Sequence, residues 1–130
     1  MKNPRHVLFV CFGNIDRSPT AMDVFKDMLV ESGYVMWPGG ADAQYDAWVL
    51  SAGVHAEHYR TQVDEELCYW ATEIFALDDP VERCLLTRYK QPRNKVVNLQ
   101  IPNMYRRNDT GLISILKQKL APYVDDWLTA

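Results

Sequence analysis

The chain has 130 residues, 48% apolar and 24% charged, and these proportions exclude disorder, collagen-like repeats and a disulfide-dense mini-scaffold. Its length allows one domain that buries about two-thirds of its unfolded surface without a disulfide or metal staple. Fourteen basic and seventeen acidic side chains leave a net charge of −3, which excludes the dominant positive field of a general nucleic-acid binder.

Residues 7 to 11 (VLFVC) are a continuous apolar run rich in β-branching, which predicts a strand buried on both faces. A polar, glycine-containing turn leads to Ser18-Pro19, a preferred N-cap and a preferred first helical residue, so a helix is expected to open there. Ala21, Val24, Phe25, Met28 and Leu29 give it one apolar face, and Gly33 is its expected stop. Residues 33 to 47, with Pro38, Gly39 and Gly40, read as a surface loop. Residues 48 to 52 (WVLSA) predict a second strand. Thr61, with Asp64 three residues later, predicts a capped helix ending near Ala71. Residues 73 to 77 (EIFAL) predict a third strand. Asp79, Pro80 and Glu82 then supply a cap, an N1 proline and a third-position acid for a helix to about Tyr89. A basic connection with Pro92 precedes a fourth strand over residues 95 to 101. From Asn108 or Asp109, Leu112, Leu116, Leu120 and Val124 mark a last amphipathic helix that Pro122 should bend. Strands alternating with helices predict an α/β protein with a mostly parallel sheet.

Three cysteines, Cys11, Cys68 and Cys84, form no CxxC pair. An odd, sparse set suits free thiols in a reducing compartment. Lys2 and Arg5 before the first apolar run resemble a signal peptide superficially, but Gly13, Asn14, Asp16 and Arg17 end the run too early. No stretch approaches the roughly 18 apolar residues of a membrane helix. The expected location is cytoplasmic, with neither membrane nor nucleic acid as partner.

Chemistry concentrates in Cys11-Phe12-Gly13-Asn14-Ile15-Asp16-Arg17-Ser18, a C-x5-R-S pattern between a strand and a helix. Such a loop aims backbone N–H groups inward above the positive end of the next helix, a cradle for a tetrahedral oxyanion. Arg17 can hold two oxygens through its planar fork. The same positive field favours the thiolate of Cys11, the form that attacks phosphorus. Ser18 can donate to that sulfur. The plainer alternative, a small buried cysteine at a strand end, does not account for the arginine at that offset.

VLFVCFGNIDRSPTA resembles the N-terminal signature of the low-molecular-weight protein tyrosine phosphatases. Ser51-Ala52-Gly53, EIFALDD at 73 to 79 and Ile101-Pro102-Asn103-Met104-Tyr105 resemble further blocks of that family. The resemblance spans nearly the whole chain, with a shortened middle. It implies a single domain over residues 1 to 130, in three α/β/α layers around a four-stranded parallel sheet of order 2-1-3-4. It also implies hydrolysis of phosphomonoesters, above all protein phosphotyrosine, through a cysteinyl-phosphate and without a cofactor. Cys11 and Arg17 would be catalytic. Residues Phe12, Gly13, Asn14, Ile15, Asp16, Arg17 and Ser18 would bind phosphate, and inorganic phosphate or vanadate would inhibit. No oligomeric state follows.

Two departures stand out. Asp16 occupies the place of a second loop cysteine, so protection of the nucleophile by a disulfide is not expected. It is expected to point outward and pair with Arg17 or another base. Asn103 stands where the family has its aspartate general acid, and an amide cannot give up that proton. Candidate substitutes are Asp109 and the Asp78–Asp79 pair, although Asp109 and Asp79 also suit helix caps. Two rival readings follow: a pseudophosphatase that binds a phosphorylated partner, and an arsenate reductase relaying a disulfide through Cys68 or Cys84. His55 and His58, with Glu57 between, make a poor metal set without a third ligand, so no metal is expected. His55 and Tyr105 can line the pocket mouth, while Phe12 and Trp48 suit core or pocket wall. Arg83, Arg88, Lys90, Arg93 and Lys95 read as a solvated basic face able to recruit an acidic partner.

Overall fold

The computed structural model describes residues 3–38 and 44–129. Lys2, and Gly39 and Gly40 of the expected loop, lie outside the described residues. Four parallel strands, β1 (Arg5–Cys11), β2 (Ala47–Gly53), β3 (Glu73–Ala76) and β4 (Val96–Asn98), form one sheet in the order β2-β1-β3-β4. The helices are α1 (Arg17–Glu31), α2 (Glu65–Trp70), α3 (Asp79–Thr87) and α4 (Thr110–Thr129).

Alternation along the central strand makes two cores. Val7, Phe9 and Cys11 face α1 and α4, where Phe25, Leu29, Leu112, Leu116 and Leu120 cover them. Leu8 and Val10 face α2 and α3 and pack with Cys68, Val81 and Leu85. Helices on both faces explain why β1 reads as an unbroken apolar run. The last helix buries the four-residue series from Leu112 to Val124 as expected, and Pro122 lies inside it.

Local boundaries differ where side chains serve other partners. The first helix begins at Arg17, with Asp16 at the N-cap position and no side-chain cap. Ser18 is therefore not the cap, because its hydroxyl is engaged in the loop before the helix. Gly33 does follow the helix end at φ 91°, a conformation that glycine adopts without strain. Thr61 does not cap α2. Residues 61 and 63 bracket Gly53 instead, with Gly53 N–H donating to Thr61 O at 2.9 Å and Val63 N–H to Gly53 O at 2.9 Å. Asp64 is the cap, accepting from Leu67 N–H at 2.7 Å. Asp78, not Asp79, caps α3 by accepting from Val81 N–H at 3.1 Å, and that helix stops at Thr87. The fourth strand is only three residues long. A 3-10 turn (Arg93–Lys95) precedes it, and Gln100 beyond it turns left-handed at φ 53°.

Candidate active site

In the order β2-β1-β3-β4, the connections after β1 and after β3 run in opposite directions, so the carboxyl end of β1 lies at the switch point where open α/β sheets bind ligands. Cys11 ends β1 there, and residues 12 to 16 turn over it. The turn is stitched to the end of β2: Val54 N–H donates to Cys11 O at 3.0 Å and His55 N–H to Phe12 O at 2.8 Å. Gly53 makes this approach possible, because a Cβ there would lie 2.7 Å from Asn14 N and 2.8 Å from Phe12 O.

Asn14 organises the loop. It sits at φ 56°, a left-handed conformation that asparagine tolerates better than most residues. Its amide group donates to Ser18 Oγ at 2.9 Å and Ser51 Oγ at 3.0 Å, and its Oδ1 accepts from Thr61 N–H at 3.1 Å. Its own N–H points at Cys11 Sγ, 3.2 Å away. Ser18 Oγ lies 3.0 Å from the same sulfur and 3.2 Å from Ala52 O. The single Ser18 proton thus has two acceptors, the sulfur when it is a thiolate and Ala52 O when it is a thiol. No acid lies in the first turn of α1 and no side chain caps it, leaving the positive end of its dipole toward the loop.

Arg17 is 2% exposed. Its Nη1 donates to Asp78 Oδ2 at 2.7 Å and Ile101 O at 2.8 Å, so the carboxylate holds the fork by one end only. Asp16 does not pair with Arg17, contrary to one expectation. Its Oδ1 accepts from Arg107 N–H at 2.8 Å. The reason is geometric: Arg17 turns inward to Asp78, while Asp16 meets the segment after β4. Cys11, Gly13, Ile15, Asp16, Arg17, Phe12 and Asn103 surround a cavity of about 140 Å³. A second cavity, of about 560 Å³, shares Phe12 and Asn103 with it and runs along α3 past His55, Val81, Cys84 and Arg88.

The other expected residues divide. Asp109 accepts from Gly111 N–H at 2.8 Å and from Leu112 N–H at 3.4 Å at the start of α4, and it lines neither cavity. Asp79 accepts from Asn98 Nδ2 at 2.6 Å, away from the cavities. His55 stacks on Phe12 at 5.4 Å, and His58 meets Tyr59. Among the described residues no three His, Cys, Asp or Glu are grouped to hold a metal ion. Tyr105 packs against the core, outside the two cavities. Trp48 stacks on Trp37 at 4.0 Å, beside His6 at the other end of β1. Burial pushes the Cys68 thiol up to about 11 despite the Lys95 charge. Asp78 as the partner of Arg17 was missed, as were Ser51, the Arg107 amide and the α3 wall. The Leu77-Asp78-Asp79-Pro80 turn after a strand next to β1 is the signal that points to the first of these.

A scan against family models finds no match. A protein-arginine-phosphatase of Geobacillus stearothermophilus is 28% identical over 104 residues, covering 75% of this chain and 70% of that protein. A low-molecular-weight phosphotyrosine phosphatase from Vibrio cholerae O395 superposes with a TM-score of 0.73 at 20% identity, over 95% of this chain and 97% of that one. The fold is that of the low-molecular-weight protein tyrosine phosphatases. The loop pattern, the sheet order and these relatives together make the chain similar to that family. A YwlE arginine phosphatase variant, with serine in place of an active-site cysteine and phosphate on that serine, superposes with a TM-score of 0.72 at 18% identity. That match covers 93% of this chain and 94% of that one. From the pattern of the low-molecular-weight phosphatases this chain departs at Asp16 and Asn103.

Proposed function

We propose that this chain is a protein phosphatase that removes phosphate from phosphotyrosine through a cysteinyl-phosphate on Cys11. The observation that carries it is the sulfur at the floor of the loop, 3.2 Å from Asn14 N and 3.0 Å from Ser18 Oγ, next to the buried Arg17. The thiolate attacks phosphorus, the S–P bond forms and the ester P–O bond breaks, with charge held by the loop amides and the free donors of Arg17. Ser18 then donates to the departing sulfur as water attacks phosphorus and inorganic phosphate leaves. The phosphorylated serine in the arginine phosphatase relative supports the covalent step.

Asn103 beside the cavity offers a hydrogen bond but no proton. A phenol, with its pKa near 10, departs unprotonated far more readily than an alkyl alcohol does. Phosphotyrosine is therefore the favoured ester, and the apolar Phe12, 52% exposed, suits an aromatic ring. A guanidine must take a proton as its P–N bond breaks, so the arginine specificity of the curated relative suits this site less well. Asn103 also favours a second reading, binding of phosphoprotein without turnover. Arsenate reduction would need a thiol relay, and the buried Cys68, with its thiol near 11, is a poor carrier. The three free cysteines support a reducing, cytoplasmic setting.

Turnover of p-nitrophenyl phosphate, a phosphotyrosine peptide and a phosphoarginine peptide by wild type and Cys11→Ser tests this. Hydrolysis of the first two, lost in Cys11→Ser and protected by phosphate or vanadate against iodoacetate, is expected. Hydrolysis that survives Cys11→Ser overturns the nucleophile. Binding of the phosphotyrosine peptide without turnover establishes the second reading.

A further inference from the structure

The 560 Å³ cavity along α3 is not needed to hold a phosphate, yet it opens onto the phosphate loop through Phe12 and Asn103. Its wall runs along one line of the helix: Pro80, Cys84 and Arg88 recur at four-residue spacing and so share a face. The near part is apolar, with Val54, Val81 and Cys84, and its far end carries Arg88. Arg88 is exposed, lies 5.7 Å from the Tyr89 ring, and has no ion pair among the described residues. The acid in this wall, Asp78, is already held by Arg17. Asp64 and Glu65 border an adjoining cavity beyond Arg88, so a positive point lies between an apolar trough and an acidic margin.

We propose that this groove is a substrate subsite that takes an acidic side chain of the phosphorylated protein on Arg88, with the intervening residues lying across Val54, Val81 and Cys84. The proposal rests on the phosphatase reading and adds the sequence context of the substrate. Geometry sets the register. Asp78, 2.7 Å from Arg17, marks the phosphate end, and the ten residue steps from this N-cap to Arg88 at the C-cap span about 15 Å at the helical rise. An extended peptide rises about 3.3 Å per residue, so the acid lies about four or five residues from the phosphorylated one. The Phe12–His55 stack, 5.4 Å between ring centres, stands where the peptide would enter the groove. An exposed ion pair supplies selectivity more than affinity, so the effect is a preference among sites.

The test is a walk of Glu, Ala or Lys through positions −6 to +6 of a phosphotyrosine peptide, repeated with phosphoarginine, reading kcat/KM. On one side, about four or five residues out, Glu should exceed Lys by about three- to tenfold, through KM. Arg88→Glu should reverse that order, and the reversal separates a charge contact from a structural role. Equal rates at every position, or a preference unchanged by Arg88→Glu, overturn the subsite while leaving the phosphatase reading intact. If wild type turns over no peptide, the hydrolytic reading falls instead. The groove is then decided by fluorescence anisotropy of the same labelled peptides on Cys11→Ser with and without Arg88→Glu. A Glu preference that inverts sustains the subsite; no preference, or no binding, overturns it.

Discussion

At Asn14, one side chain makes three hydrogen bonds, to Ser18, Ser51 and Thr61, while its backbone holds the left-handed turn that aims its N–H at Cys11. Asn14→Ala should cost about 2–4 kcal/mol, from three lost bonds and a strained φ. Thermal melts and turnover of p-nitrophenyl phosphate on one sample would show both falling together. Arg17→Lys keeps the charge but not the fork, so phosphate affinity and turnover should drop steeply while the fold persists. Near-normal values would mean that the loop amides alone hold the anion. Asp16 acts differently. Its Oδ1 holds the Arg107 amide, while Thr20 Oγ1 takes Asn108 N–H at 3.0 Å, so the start of α1 clamps the segment that carries Asn103. Asp16→Ala should free that segment at a cost of about 0.5–1.5 kcal/mol. Asp16→Asn, which keeps a carbonyl acceptor, should restore stability. Equal losses in both variants would point to charge rather than the bond.

At the scale of elements, the sheet carries an unmet demand among the described residues. Glu73 opens β3 with a buried Oε1 that has no hydrogen-bond partner among the described residues. Burial pushes its carboxyl above the usual range, while the Arg5 charge pulls the other way. Arg5 lies with its guanidinium 4.4 Å above the Trp127 ring. Because the folded state binds this proton more tightly than the unfolded chain, stability contributed here is present at low pH. It is lost as pH rises from the ordinary glutamate value, near 4.3, through the raised one. Glu73→Gln should therefore raise the melting temperature at pH 7 and give little gain below pH about 4. A gain equal at both values would place the effect in packing rather than ionisation. The element boundaries teach the same lesson about polar side chains. A Ser-Pro pair reads as a helix start, and the helix does begin there within a residue. Ser18 is nevertheless drawn to Cys11 and Asn14, so its capping propensity is overridden by a tertiary contact.

For the whole molecule, the deepest consequence is the pairing of the proposed phosphate loop, Cys11 to Ser18, with Asn103 beside its cavity. Rates should depend strongly on leaving-group pKa, activated aryl phosphates far exceeding phosphotyrosine and alkyl esters slower still. The acidic limb of the pH profile should remain, and the basic limb of a protonated carboxylic acid should be missing. Asn103→Asp should introduce that limb and raise rates for poor leaving groups by about 10²–10⁴. A bell-shaped wild-type profile would mean that another group supplies the proton. Spacing within a few residues was enough to read the strand–loop–helix unit around Cys11 to Ser18, the α/β class and the two-sided burial of β1. Three features lie beyond that range: Arg17 pairs with Asp78, 61 positions away, Asp16 holds the Arg107 amide, 91 positions away, and α3 walls a groove beside the loop. Local periodicity sets which face of an element is buried. A polar side chain takes its partner from whichever segments the sheet order brings to the same end, and no local pattern encodes that choice.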